Sequence, residues 1–457
     1  MTDSTLRAAI VGAGPSGFYA SGQLLAEGFK VDLFDKLPTP FGLVRFGVAP
    51  DHPKIKNVTR VFEKTAQNEG FRFFGGVELG RDVTREELLE RYDLVLYTLG
   101  TASDNRLGIP GEDLLGSYPA TDFVAWYNGH PDAAGYSFDL DTERAVVIGN
   151  GNVAIDVARM LALDPSEVQP TDTADHAVAA LAGHSIKEIV IVGRRGPAQA
   201  AFTNPELLEL GELARADVIV DPEQMQLDPV SRAWLDSDKA EPTNRRNVEI
   251  MTEYAARKPT GKSHRVVLRY LRSPVEILGD GEKVTGIRLA VNEIVDDGNG
   301  NPRAVATDQT EELECGLVFR SIGYRGEPVD SVPFDERRGL IRNDGGRVTG
   351  EDGQPLPGEY VAGWVKRGPS GVIGTNKKDS ADTVAKIVED RDAGRLPARE
   401  PLGDNADWVR EKQPKVVEWD GWRRIDEHEC ALGEPQGRPR VKLVRIEEME
   451  SIANAGG

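Results

Sequence analysis

Apolar residues reach this chain in short runs, each closed by a polar or glycine-bearing turn. "AAIV" at residues 8–11, "KVDLF" at 30–34, "VLYTLG" at 95–100, "AVVIG" at 145–149, "EIVIVG" at 188–193 and "GLVF" at 316–319 have the length and composition of buried parallel strands. Two of these runs lead into a glycine turn and then a helical stretch. "LRAAIVGAGPSGFYASGQLLAEGFKVDLFDK" predicts strand, turn, helix stopped at Gly28, and a second strand ending in Asp35. "RAVVIGNGNVAIDVARML" repeats that order from Arg144, and its next strand is Lys187–Gly193. The pattern changes from about Arg265. "RVVLRYLRSPVEILG", "KVTGIRLAVNEIV" and "RAVATDQTEELECG", separated by "DGEK" and "DDGNGNP", predict three strands of an antiparallel meander. "EYVAGW", a glycine-rich turn and a helix then read as the return of the chain to its first domain.

The glycines turn this pattern into a binding prediction. Gly12, Gly14 and Gly17 form GxGxxG around Ala13. The first glycine permits the turn, the second brings backbone N–H groups to a pyrophosphate at the positive end of a helix, and the third lets helix and strand pack closely. Asp35, at the end of the second strand, is placed to accept hydrogen bonds from an adenosine ribose. Gly149, Gly151 and Ala154 repeat the motif as GxGxxA. The strand that follows ends in Arg194 and Arg195, where the first cradle has an acid. Paired guanidinium groups there select the extra phosphate of NADP, which a carboxylate would repel. The gap between motif and arginines is about twice the usual spacing, filled by the helical, acidic stretch "DPSEVQPTDTADHAVAALAGHS".

The predicted fold is α/β: two Rossmann-like dinucleotide-binding domains, with the antiparallel meander belonging to the second. The first domain is expected to be discontinuous, residues 1–103 plus 325–457, with the second at 104–324.

Composition narrows the chemistry. A chain of 457 residues with 39% hydrophobic and 28% charged residues is sized for two or three globular domains. No run approaches the length of a membrane helix, and the amino terminus passes within a few residues from polar lead-in to strand, so a cytoplasmic location is expected. The net charge of -20 opposes nucleic acid and anionic lipid as partners. Cys315 and Cys430 are the two cysteines, far apart and outside any CxxC, so a dithiol centre, an iron–sulfur cluster and a cysteine zinc site lack ligands. Redox chemistry must come from a bound organic cofactor.

Taken together, "LPTPFGLVRFGVAPDHPKIKNV" (Leu37 to Val58), "GNGNVAIDVAR", "VGRRGP", "RSIGYRG" and "GWVKRGPSGVIGTNKKDS" resemble the adrenodoxin-reductase-type ferredoxin–NADP reductases, bacterial cytosolic members included, in order over nearly the whole chain. The resemblance implies FAD in the first cradle and NADP(H) in the second, with electrons passed to a ferredoxin-type iron–sulfur protein. It implies FAD contacts at Gly12, Ala13, Gly14, Gly17, Asp35, Leu43, Val77, Trp364, Gly371, Val372 and Ile373. It implies NADP contacts at Gly149, Asn150, Gly151, Asn152, Val153, Arg194, Arg195, Glu206 and Gly371. Arg245 and Arg246, extended by Arg215 and Lys239, resemble the family's basic docking patch for an acidic ferredoxin.

Three residues stand out for proton handling. His52 follows a proline-bounded loop and carries the side chain that titrates nearest neutrality. Asp156 lies on the second cradle helix, either as a proton relay with His52 or on its solvent face. Glu209, in "PELLEL", resembles a family acid near the nicotinamide and equally fits a plain surface helix. Two other readings use the same cradles: a flavin monooxygenase, for which no substrate pocket announces itself, and a non-catalytic NADP-binding interaction protein.

Overall fold

In the computed structural model, residues 5–371 and 373–455 are described. The chain divides into two compact units. One comprises Met1–Ser103, Asn128–Ala134 and Gly323–Gly457, the other Asp104–Tyr127 and Gly135–Ile322.

The first unit is built on a seven-stranded sheet. Strands β1 (Arg7–Val11), β2 (Lys30–Asp35), β3 (Phe71–Gly75) and β4 (Leu94–Tyr97) are parallel in the order β4-β1-β2-β3. The strand Pro355–Val361 adds in parallel beside β4, which makes the return to this sheet physical. Asn343–Asp344 and Arg347–Thr349 complete it as an antiparallel edge. Its strands are apolar on both faces because both are covered. Helices α1 (Pro15–Ala26) and Ile373–Asp392 pack together on one face, over a core that includes Phe18, Leu24, Leu33, Phe62 and Ile387.

The expected second domain included residues 128–134, which group instead with the first unit. Their side chains explain it: Asn128 is fully buried and accepts a hydrogen bond from Lys442 at 3.3 Å, and the His130 ring meets Phe46 at 4.9 Å.

The second unit holds a six-stranded parallel sheet. Its order is Ser117–Pro119, Leu317–Arg320, Arg144–Ile148, Glu188–Val192, His264–Arg269 and Ala216–Val220. The meander is a separate three-stranded sheet of Arg272–Gly279, Val284–Asp296 and Pro302–Glu314. One predicted strand was therefore two: "RVVLRYLRSPVEILG" breaks at Leu271, which takes φ +57°. Its first half lies between two parallel neighbours and its second pairs antiparallel. Alternation marks a half-buried strand without naming its partner, so the run alone could not show the switch. The acidic insertion folds as two helices, Pro165–Val168 and Asp175–Gly183.

Candidate functional site

In the first unit β1 ends in a turn that only glycine can make. Gly12 takes φ +110°, and a Cβ there would lie 2.4 Å from the Thr98 carbonyl oxygen at the end of β4. A Cβ on Gly17 would meet the Gly12 carbonyl oxygen at 2.1 Å, so α1 sits directly on the turn. Gly14 caps α1 without a side-chain hydrogen bond, and the space where its Cβ would stand is open to 4 Å. The helix thus presents its leading N–H groups and the positive end of its dipole to a ligand.

Asp35 closes the cradle at the tip of β2. Its carboxylate accepts from the Ala13 N–H at 2.7 Å and the Leu37 N–H at 2.9 Å. Burial pushes this carboxyl up to about 6, against those two N–H groups and the Lys36 ammonium, which pull it down. Val77 is tied to the same corner, its N–H donating to the Asp35 carbonyl at 2.9 Å. Gly42 runs across Gly14, its absent Cβ 2.9 Å from the Gly14 Cα, so the short helix α2 (Leu43–Phe46) starts at the cradle and leaves Leu43 exposed. The preceding Phe41 holds φ +84° although it is not glycine; packing against Phe18, Phe62, Trp419 and Trp422 keeps it there.

A second segment converges on α1. Gly363 lies so close that a Cβ would stand 2.5 Å from the Ser16 hydroxyl. Its N–H donates to the buried Asp379 carboxylate at 2.6 Å, and Lys366 pairs with the other carboxylate oxygen at 2.9 Å. This fixes Trp364, which stacks on Tyr324 at 5.7 Å with 19° between the rings. Gly371 takes φ +80°, and Ile373 begins the long helix against the core; Val372 lies outside the described residues. The Trp364 Nε1 and the Thr39 hydroxyl are buried without a hydrogen-bond partner among the described residues. An open helix start, a ribose-type carboxylate and buried donors awaiting acceptors fit a flavin dinucleotide. Asp379 and Lys366 escaped the sequence reading, because nothing in "GWVKRG" or "GTNKKDS" tells which polar side chain turns inward.

The second cradle repeats the first. Gly149 takes φ +134°, and a Cβ would fall 2.0 Å from the Ser321 carbonyl oxygen. Gly151 caps the helix Asn152–Ala162, whose start is again open, and Ala154 is fully buried where the helix meets the sheet. Asn150 and Asn152 hold the neighbouring loop: the Ala201 N–H donates to the Asn150 carbonyl at 2.9 Å, and the Thr203 N–H to the Asn152 side chain at 2.8 Å. Val153 is half-buried in the first turn. Beyond the strand Glu188–Val192, Arg194 is exposed and Arg195 half-buried, and neither makes an ion pair among the described residues. Burial and the neighbouring Arg194 charge both draw the Arg195 guanidinium down from its ordinary value. Two adjacent cations with no counter-ion among the described residues have the chemistry that pairs with a phosphate.

Asp156, Glu206 and Glu209 come together around one residue that the sequence reading missed. Arg159 is buried and approaches Glu209 at 3.3 Å, Asp156 at 3.8 Å and Glu206 at 3.9 Å. Asp156 is thereby placed at this cation rather than on an open helix face. The available signal was the i,i+3 spacing in "DVAR". His52 is buried in the first unit, at the start of α3 (Pro53–Lys56).

The four residues of the expected docking patch are all engaged within the second unit. Arg245 donates to the carbonyls of Leu235 and Ser237 at 2.9 and 2.8 Å. Arg246 pairs with Glu249 at 2.8 Å and Glu253 at 3.6 Å. Arg215 donates to the Ala162 carbonyl, and Lys239 to that of Asn299.

Comparison with known proteins bears on this double cradle. The family described as pyridine nucleotide-disulphide oxidoreductase matches residues 6–191. NADPH-ferredoxin reductase FprA of Mycobacterium leprae is 50% identical over 457 residues, covering 98% of each chain. The mitochondrial NADPH:adrenodoxin oxidoreductase of Salvelinus fontinalis is 42% identical over 468 residues, covering 99% of this chain and 92% of that one. The solved structure of Mycobacterium tuberculosis FprA in complex with NADPH matches with a TM-score of 0.92 at 48% identity, over 98% of this chain and 99% of that one. At these identities over nearly the whole of each chain, the protein belongs to the family of the NADPH-ferredoxin and NADPH:adrenodoxin reductases.

Proposed function

We propose that this protein is an FAD-dependent oxidoreductase that passes electrons between NADPH and a ferredoxin-type iron–sulfur protein. The observation that carries the reading is the opposite chemistry of the two cradles: Asp35 ends the first, and Arg194 and Arg195, with no ion pair among the described residues, end the second. One suits an unmodified ribose and the other a phosphorylated one. Bound FAD would take up a hydride and release its electrons singly, which is what links a pyridine nucleotide to an iron–sulfur cluster.

The chain's own task is placement. The start of α1 at Gly14 would hold the FAD diphosphate and Asp35 the ribose, with Leu43, Val77 and the Trp364 to Ile373 segment along the flavin. Asn150 to Val153 would hold the NADP diphosphate, Arg194 and Arg195 its extra phosphate, and Glu206 another part of the nucleotide. His52 is proposed to hold or release a proton in the first unit. Asp156 and Glu209, gathered with Glu206 on Arg159, would orient charge in the second. Arg245 and Arg246 stay in the proposal as one contact for the partner. No helix among the described residues is long and apolar enough to cross a membrane, and we place the enzyme in the cytoplasm.

The test is a visible spectrum of the purified protein, then anaerobic titration with NADPH and with NADH, then addition of an iron–sulfur protein. A yellow band bleached by NADPH at concentrations where NADH does little, and restored by the iron–sulfur acceptor, supports the reading. A protein that takes up no FAD on reconstitution, or that answers both nucleotides equally, refutes it. Formation of an oxygenated organic product would point to a monooxygenase instead.

A further inference from the structure

We propose that the acidic iron–sulfur partner docks on the outer face of α3 and α4 (Thr59–Ala66) in the first unit, through Lys54, Arg60 and Lys64 around the exposed apolar residues Ile55 and Val61. The proposal rests on the function inferred above and adds to it where the partner binds.

Residues 53–66, "PKIKNVTRVFEKTA", carry four basic side chains and one acidic one, a local charge of +3 in a chain of net charge -20. Residues 242–256, which hold Arg245 and Arg246, carry two of each sign and sum to zero. Free charge sharpens the contrast. Lys54, Arg60 and Lys64 are exposed and make no ion pair among the described residues, whereas Arg246 is paired twice and Arg245 is spent on two carbonyls. Local charge contributes to steering, so the α3–α4 segment with its three cations adds attraction for an acidic protein beyond what the compensated helix of Arg245 and Arg246 supplies.

The same face has what a contact needs after encounter. Ile55 is 43% exposed and Val61 54%, large aliphatic side chains in water beside the cations. An apolar centre with a charged rim is the ordinary anatomy of a transient protein interface.

The face is also continuous with the cradle. Phe62 is the one buried residue of α4, and its ring stacks on Phe18 at 4.9 Å, one turn beyond Gly14 on α1. Exposed Leu43 on α2 begins at that same cradle, and α2 packs against α3. The inner side of α4 thus supports the dinucleotide site while its outer side presents the cations. A partner seated there would lie against the elements that form the cradle.

The experiment compares wild-type holoenzyme with the triple charge reversal Lys54→Glu, Arg60→Glu, Lys64→Glu, with the milder triple alanine variant, and with Arg245→Ala, Arg246→Ala. NADPH-dependent reduction of an acidic [2Fe–2S] ferredoxin is measured across ionic strength, beside reduction of menadione, a neutral acceptor that needs no docking. The expected result is a fall in kcat/KM for ferredoxin of about tenfold or more at low salt in the charge reversal. The alanine variant should fall by less, the salt dependence should flatten in both, and menadione reduction should stay within about twofold of wild type. Ferredoxin reduction within about twofold of wild type in the charge reversal overturns the proposal, as does a parallel loss with both acceptors. A wild-type enzyme that reduces menadione and no iron–sulfur protein overturns the proposed function, and this surface with it.

Discussion

Replacing Arg195 by alanine removes a half-buried guanidinium that has no counter-ion among the described residues. The backbone around it is held independently. The Arg195 carbonyl accepts the Leu271 N–H at 3.2 Å and the Arg194 carbonyl accepts the Asn292 side chain at 2.7 Å, so the loop should survive truncation of either side chain. A charge-assisted hydrogen bond is worth about 1.5 to 3 kcal/mol. Assigning about 2 kcal/mol to half-buried Arg195 gives roughly a 30-fold loss in kcat/KM for NADPH, and about 1 kcal/mol for exposed, solvent-screened Arg194 gives roughly fivefold. Each arginine also repels the other, so the double variant should lose less than the sum of the singles. Contacts to the extra phosphate would lie away from the reacting nicotinamide and bind ground and transition states alike. The loss should therefore appear in KM with kcat little changed. NADH has no phosphate at that position, so its parameters should move by less than about twofold. Steady-state kinetics with both nucleotides and a neutral acceptor reads all of this. Equal losses with NADPH and NADH, or no loss with either, would refute the assignment of the arginines to the phosphate.

Other consequences follow from the same geometry. Gly149→Ala puts a Cβ about 2.0 Å from the Ser321 carbonyl oxygen at a positive φ; it should destabilise the second unit by more than about 3 kcal/mol and abolish NADPH binding while flavin is retained, read by calorimetry and by the spectrum. Asp379→Asn strips Lys366 of its partner beside the Gly363 N–H; it should cost about 2 to 4 kcal/mol in thermal stability and release FAD on dilution, and an unchanged flavin content with an unchanged Tm would refute the positioning role. In the flavin-free chain, burial holds Asp35 near 6 against an ordinary 3.8. The folded state then binds more protons than the unfolded one between these values, so this group's contribution is most favourable below about pH 4 and declines as pH rises to 6. The decline is about 3 kcal/mol at most. Urea unfolding at a series of pH values should show wild type losing ground to Asp35→Asn over that window, and a constant difference would disprove it.

Much of the architecture is local physics and was legible in the string of residues. Glycine is required where a Cβ has no room, so Gly12, Gly17 and Gly149 mark their turns in the sequence itself. The acid of one cradle and the arginines of the other set an expectation of their ribose chemistry by charge alone. What the sequence could not decide were the pairings over long separations. The run from Arg265 to Gly279 alternates as a single strand, and only tertiary contacts split it between two sheets at Leu271. Residues 128–134 read as part of one domain and are captured by another, because Lys442, over 300 residues away, hydrogen-bonds Asn128. Arg159 and Asp379 look like ordinary helical charges until folding buries them among their partners. Arg245 and Arg246 look like free cations until carbonyls and glutamates engage them. Turn geometry and charge type belong to a residue and its neighbours; burial and compensation belong to whatever the rest of the chain brings against it.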